Sequence, residues 1–138
     1  MASKRYAKQK GSTAERDLLD MLWTAGFAVL RTAGSGSTSH DACDLIAGKS
    51  GTAYAIEVKV CQGKKQYVDA AQVKELLNFS TAFGATPILA VKFLRRGWHV
   101  LDGRKLEQTG KHYGASLEQM QPLDDWLKTQ LMGFEVHE

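Results

Sequence analysis

Apolar positions along the chain fall into a helical period, then short strand-like runs, then a helical period again. Ala14, Leu18, Leu22 and Ala25 recur at spacings of four, four and three, which predicts an amphipathic helix ending at Gly26. Ser12-Thr13-Ala14-Glu15 in front of it reads as a capping box, and residues 1–11 read as a flexible basic arm. Phe27-Ala28-Val29-Leu30 then predicts a short buried strand ending at Arg31.

Residues 32–43 have no hydrophobic period and predict a loop, with Gly34-Ser35-Gly36-Ser37-Thr38-Ser39 inside it. Strands are expected from Asp44 to Ala47 and from Thr52 to Val60, joined as a hairpin across Gly48-Lys49-Ser50-Gly51. Residues 62–67 read as a polar connection. A second helix is expected to start at Asp69 and to run through Ala70, Val73, Leu76, Leu77 and Phe83 to Gly84. Pro87 to Val91 is almost wholly apolar, as a strand covered on both faces requires. Trp98 to Leu101 forms a further strand after the Arg95-Arg96-Gly97 turn, and residues 102–115 read as loop. A last helix is expected to begin between Ser116 and Pro122 and to reach about Met132. The predicted order α-β-β-β-α-β-β-α gives an α/β or α+β fold with a mixed sheet.

Composition narrows the class. The 138 residues fit one domain, and 43% apolar with 24% charged is ordinary for a folded globule. No apolar run approaches the roughly 20 residues that span a bilayer. The start, Met1 to Lys10, lacks the apolar stretch of a secretory signal, so a cytoplasmic chain without membrane contact is expected. Cys43 and Cys61 are then expected to be free thiols, and they lack zinc-ligand spacing.

The formal charge of +3 hides an asymmetry. Residues 1–106 hold 16 Lys/Arg against 9 Asp/Glu, a surplus of seven, whereas residues 107–138 hold 2 against 6. The basic residues cluster near the start, at Lys64-Lys65 and at Arg95-Arg96. Such clusters suit a polyanion, although they also make an ordinary solvated surface. The Ser/Gly loop lacks the lysine of a nucleotide-binding loop; its small and hydroxyl residues suit close approach to DNA phosphates.

Chemistry concentrates in Glu57-Val58-Lys59. Strand alternation puts Glu57 and Lys59 on one face, and hairpin pairing lets Asp44 lie near Glu57. Glu15 sits on a helix that could pack across the sheet. Taken alone, a Glu-x-Lys is usually a surface ion pair worth under about 1 kcal/mol, and Glu15 has a structural use in the capping box. The joint arrangement carries more weight. Carboxylates and a backbone carbonyl suit Mg²⁺ or Mn²⁺, which activates water beside a phosphate, and a lysine can stabilise the transition-state charge.

Several motifs, spread in order over residues 10–101, carry a resemblance. They are Lys10-Gly11, Ala14-Glu15-Arg16-Asp17-Leu18-Leu19, Gly26 to Arg31, Ala33-Gly34-Ser35-Gly36-Ser37, Asp44-Leu45-Ile46-Ala47-Gly48, Ala55-Ile56-Glu57-Val58-Lys59, Phe79, Phe83-Gly84 and Ala90-Val91-Lys92-Phe93. Together they resemble the archaeal-type Holliday junction resolvases of the PD-(D/E)-x-K, restriction-endonuclease-like superfamily. The resemblance implies an α/β fold with a central mixed β-sheet flanked by helices. It implies a homodimer that uses Mg²⁺, with Mn²⁺ substituting, to make paired nicks across branched double-stranded DNA. On that basis Glu15, Asp44, Glu57 and the Val58 carbonyl match the metal ligands, and Lys59 matches the catalytic lysine. Ser35 matches a loop serine near the scissile phosphate. Arg16, Arg31 and Lys92 match basic residues tied to DNA or activity. Lys10, Gly36, Ser37, Lys64 and Lys65 join the expected DNA surface. Cys43 stands where the superfamily often has proline, and the loop before it is long, adding His40 and Asp41 as candidates. A repair nuclease on linear or nicked DNA, or a DNA-binding module without catalysis, are the competing readings.

Overall fold

The computed structural model describes residues 4–33 and 39–136. Helix α1 (Lys4–Thr24) leads into β1 (Ala28–Arg31), β2 (Leu45–Lys49), β3 (Thr52–Cys61) and β4 (Lys65–Asp69). Then come α2 (Ala70–Phe83), β5 (Thr86–Phe93), β6 (Gly97–Asp102), β7 (Glu107–Thr109), β8 (His112–Ser116), β9 (Gln121–Pro122) and α3 (Leu123–Val136). No helix among the described residues is long and apolar enough to cross a membrane.

Six strands form the main sheet in the order β1-β2-β3-β5-β6-β9. Among the described residues only β3 and β5 pair in parallel, with α2 in the crossover, so the sheet is mixed as expected. The β2–β3 hairpin turns at Ser50 (φ 53°) and Gly51 (φ 85°), the two consecutive positive φ values that a tight right-twisted hairpin needs.

Alternation along β3 sorts the molecule into two layers. Tyr54, Ile56 and Val58 pack with Ala14, Leu18 and Leu22 of α1 and with Leu123 and Trp126 of α3. On the opposite face Ala55 joins Leu76 of α2, and Cys61 joins Val68, Val73, Leu89, Val91 and Ala115. Glu57 and Lys59 share this second face by the period of two.

Three expectations change. Helix α1 begins at Lys4, so Ser12 and Glu15 lie inside the helix and form no capping box. The stretch from Lys4 to Lys10 is rich in helix formers, and a single Gly11 costs only about 1 kcal/mol. Residues 102–115 and 62–67 contain strands, not only loop: β4, β8 and β7 make a second, antiparallel three-stranded sheet. Their sequences show little alternation because these short strands set few side chains on the core, chiefly Val68 and Ala115. Asp69 does stand at the N-cap of α2, but its side chain makes no cap bond and pairs instead with His112 at 3.1 Å. Gly84 closes α2 at φ 84°, as expected of a left-handed C-cap. Both cysteines are free and buried.

Candidate active site

Asp44 lies just ahead of β2, where its backbone N–H donates to the Ile56 carbonyl at 3.0 Å and so extends the hairpin ladder. Its Oδ2 accepts the Val58 N–H at 2.8 Å. That bond fixes one carboxylate oxygen against the strand that carries Glu57. Burial, a side-chain hydrogen bond with Asp44 and the charge of that acid push the Glu57 carboxyl up to about 9; Lys59 opposes the rise and Glu75 adds to it. Without a cation Glu57 is therefore held protonated at neutral pH, within hydrogen-bond reach of Asp44.

Lys59 Nζ donates to Gln72 Oε1 on α2 at 2.9 Å. The helix thus holds the ammonium on the face that Glu57 occupies. Gln72 and Glu75 belong to this site and were not among the expected residues. One signal in the sequence marked Gln72. It occupies the slot that continues the spacing Leu76, Phe79, Phe83 at four, three and four, where a polar residue facing the sheet needs a partner.

The remaining expected residues are placed differently. Core contacts put α1 on the opposite face of β3 from Glu57 and Lys59. Glu15 is engaged by Arg31, with Arg31 Nε donating to Glu15 Oε1 at 2.8 Å and Nη2 to Ser12 Oγ at 3.0 Å. Among the described residues, no three His, Cys, Asp or Glu side chains form a group able to hold a metal ion. The acids that meet are two, Asp44 and Glu57. This donor set still fits Mg²⁺, which commonly takes one or two carboxylates and leaves its other positions to water and phosphate. The proton held on Glu57 is what a bound cation displaces.

Arg16 is exposed on α1. Lys92 stands 3.9 Å from Asp17, and Lys64 and Lys65 are exposed at the start of β4. Ser35, Gly36 and Ser37 lie outside the described residues, as does the side chain of Lys10. His40 and Asp41 are exposed in the loop before Asp44. Phe79 and Phe83 stack with centroids 5.5 Å apart, Phe79 against the core and Phe83 54% exposed.

The family model for archaeal Holliday junction resolvase (Hjc) matches residues 6–131. The crossover junction endodeoxyribonuclease Hjc of Archaeoglobus fulgidus is 42% identical over 106 residues, covering 77% of this chain and 78% of that protein. The Methanocaldococcus jannaschii protein of the same name is 40% identical over 89 residues, covering 64% and 63%. The solved structure of Archaeoglobus fulgidus Hjc, described as a Holliday junction resolvase from an archaeal hyperthermophile, matches with a TM-score of 0.79 and 34% identity. It spans 85% of this chain and 99% of that one. The fold is therefore restriction-endonuclease-like, and the chain belongs to the archaeal Holliday junction resolvase family.

Proposed function

We propose that the protein is a crossover junction endodeoxyribonuclease that resolves four-way DNA junctions by paired, Mg²⁺-dependent nicks. The observation that carries the reading is the meeting of Asp44, Glu57 and Lys59 on one face of β3, in a chain of this family. Mg²⁺, with Mn²⁺ able to substitute, would be held by Asp44 and Glu57 with the Val58 carbonyl, and when bound it supplies a water of lowered pKa and charge neutralisation at the scissile phosphate. Asp44 keeps its orientation through the Val58 N–H. Lys59, held by Gln72, presents its ammonium to the oxygens on which charge builds during in-line attack. Glu15 is the third acid of the reading, and Arg31 engages it in this structure.

Ser35, Gly36 and Ser37, with Arg16, Arg31, Lys10, Lys64, Lys65 and Lys92, provide the phosphate contacts, so recognition runs through shape and backbone. A homodimer would present two such sites to opposing strands, because a two-fold substrate suits a two-fold protein. Incubating the protein with four-way, nicked and linear DNA of equal sequence, with and without Mg²⁺, tests the reading. Selective cutting of the junction supports it, and equal cutting of all three contradicts it.

A further inference from the structure

The second sheet turns an aromatic ring and an unpaired ammonium to solvent on one face. On β4, Val68 points inward to the core, so Lys65, Tyr67 and Asp69 point outward. Tyr67 is 54% exposed. Lys65 Nζ lies over its ring, 5.2 Å from the centroid.

What allows this pose is the residue across the ladder. Gly114 of β8 pairs with Tyr67, and a Cβ built there would stand 2.7 Å from Lys65 Cε. The lysine stem therefore crosses the sheet through the space of a missing side chain. Among the described residues Lys65 makes no salt bridge, whereas the acid further along β4, Asp69, is engaged by His112 at 3.1 Å. Glu107, opposite Gly114 on the outermost strand β7, is the other acid of this face. Lys64 adds a second exposed cation next to the platform. The chain passes from Lys59 through Cys61 to this strand, and Cys61 Sγ bonds the Lys65 carbonyl at 3.3 Å, so the platform is tied directly to the catalytic strand.

An exposed aromatic ring beside unpaired lysines is the combination that stacks an exposed base face while holding the neighbouring phosphate. We propose that Tyr67, with Lys65 laid across Gly114, is a stacking platform for a base exposed at the branch point of the DNA. This rests on the reading of the protein as a junction nuclease and names the part of the substrate that reading leaves open. A continuous duplex offers no such base, so the platform contributes to preference for junctions over duplex.

The test compares wild type with Tyr67→Ala, Tyr67→Phe and Gly114→Val on a four-way junction and a continuous duplex of the same sequence. A 2-aminopurine at the crossover reports stacking, and a thermal melt of each variant checks folding. Expected for Tyr67→Ala is a five- to fifty-fold fall in the ratio of junction to duplex affinity, with loss of the protein-induced 2-aminopurine signal. Tyr67→Phe restores both, because the ring face does the stacking. Gly114→Val, by displacing the lysine, gives an intermediate loss. A Tyr67→Ala protein that is folded and keeps the wild-type ratio and signal overturns the platform, as does an equal loss on both DNAs. Wild-type protein that fails to prefer the junction at all contradicts the parent reading instead.

Discussion

Lys59 on β3 and Gln72 on α2 are joined by a 2.9 Å hydrogen bond from Nζ to Oε1. The bond ties the ammonium of the Glu-x-Lys strand to the helix that covers it. A lysine stem has large rotamer freedom, and this acceptor removes much of it. Gln72→Leu is expected to lower kcat for junction cleavage by about tenfold with little change in junction affinity, as loss of a positioning group does. Lys59→Ala is expected to cost 100-fold or more. Single-turnover rates and gel-shift affinities on one junction measure both; equal rates for Gln72→Leu and wild type would remove Gln72 from this role.

Glu57 makes a prediction with an unusual sign. In the cation-free protein its carboxyl sits at about 9 against an ordinary 4.5, because burial and Asp44 both disfavour its charge. The fold thus prefers the protonated form. Its stabilising contribution is complete below about pH 4.5 and is lost as pH rises through about 9. In EDTA at pH 8, Glu57→Gln should be more stable than wild type, by on the order of 1–3 kcal/mol, while cleavage is abolished. Urea melts at pH 5 and pH 8 measure the difference, which should shrink at the lower pH. A variant less stable at pH 8 would show that the acid is not held neutral there.

Asp44 has both a structural and a chemical duty. Asp44→Ala removes the acceptor of the Val58 N–H, and an unsatisfied buried donor costs about 1–3 kcal/mol. Asp44→Asn keeps an acceptor oxygen and loses only the charge. Asn is therefore expected to fold like wild type and bind junctions but not cut them, whereas Ala is also destabilised. Junction cutting by Asp44→Asn at the wild-type rate in Mg²⁺ would rule out its part in cation binding.

The core beneath the site is anchored by three rings. Trp126 of α3 stacks on Phe27 at 5.8 Å and meets Tyr54 edge-on at 5.3 Å, and the Tyr54 hydroxyl bonds Gln130. Trp126→Ala is expected to cost about 3–5 kcal/mol, since it empties a large buried volume and breaks both ring contacts. A denaturant midpoint shift of under 1 kcal/mol would mean that α3 is not docked through this ring.

Affinity for DNA should fall steeply with salt, as release of counterions by Lys and Arg requires. Lys64→Ala and Lys92→Ala are each expected to reduce the slope of log affinity against log salt by about one. A salt-insensitive affinity would count against the basic residues as the DNA surface.

Much of this was legible in the residues. The run Ala55-Ile56-Glu57-Val58-Lys59 named its strand, and strand alternation placed Glu57 and Lys59 on one face, as found. Asp44 beside Glu57 followed from the hairpin. What escaped was what no local pattern encodes. Strands β4, β7 and β8 cover a small patch of core with two or three side chains and so lack a full alternation. The start of α1 is hidden in the residues because Ser12 and Glu15 make a plausible capping box, while the helix runs through Gly11 to Lys4. Packing sent Glu15 to Arg31, and Gln72 to Lys59, across 16 and 13 residues of chain.

The central claim is tested most directly by mapping nicks on a synthetic four-way junction labelled on each strand in turn, with and without Mg²⁺. Paired cuts at symmetry-related positions on two opposing strands, dependent on Mg²⁺ and absent in Glu57→Gln, are predicted. Cuts confined to one strand, cuts that persist in EDTA, or linear duplex cut as readily as the junction would contradict the account.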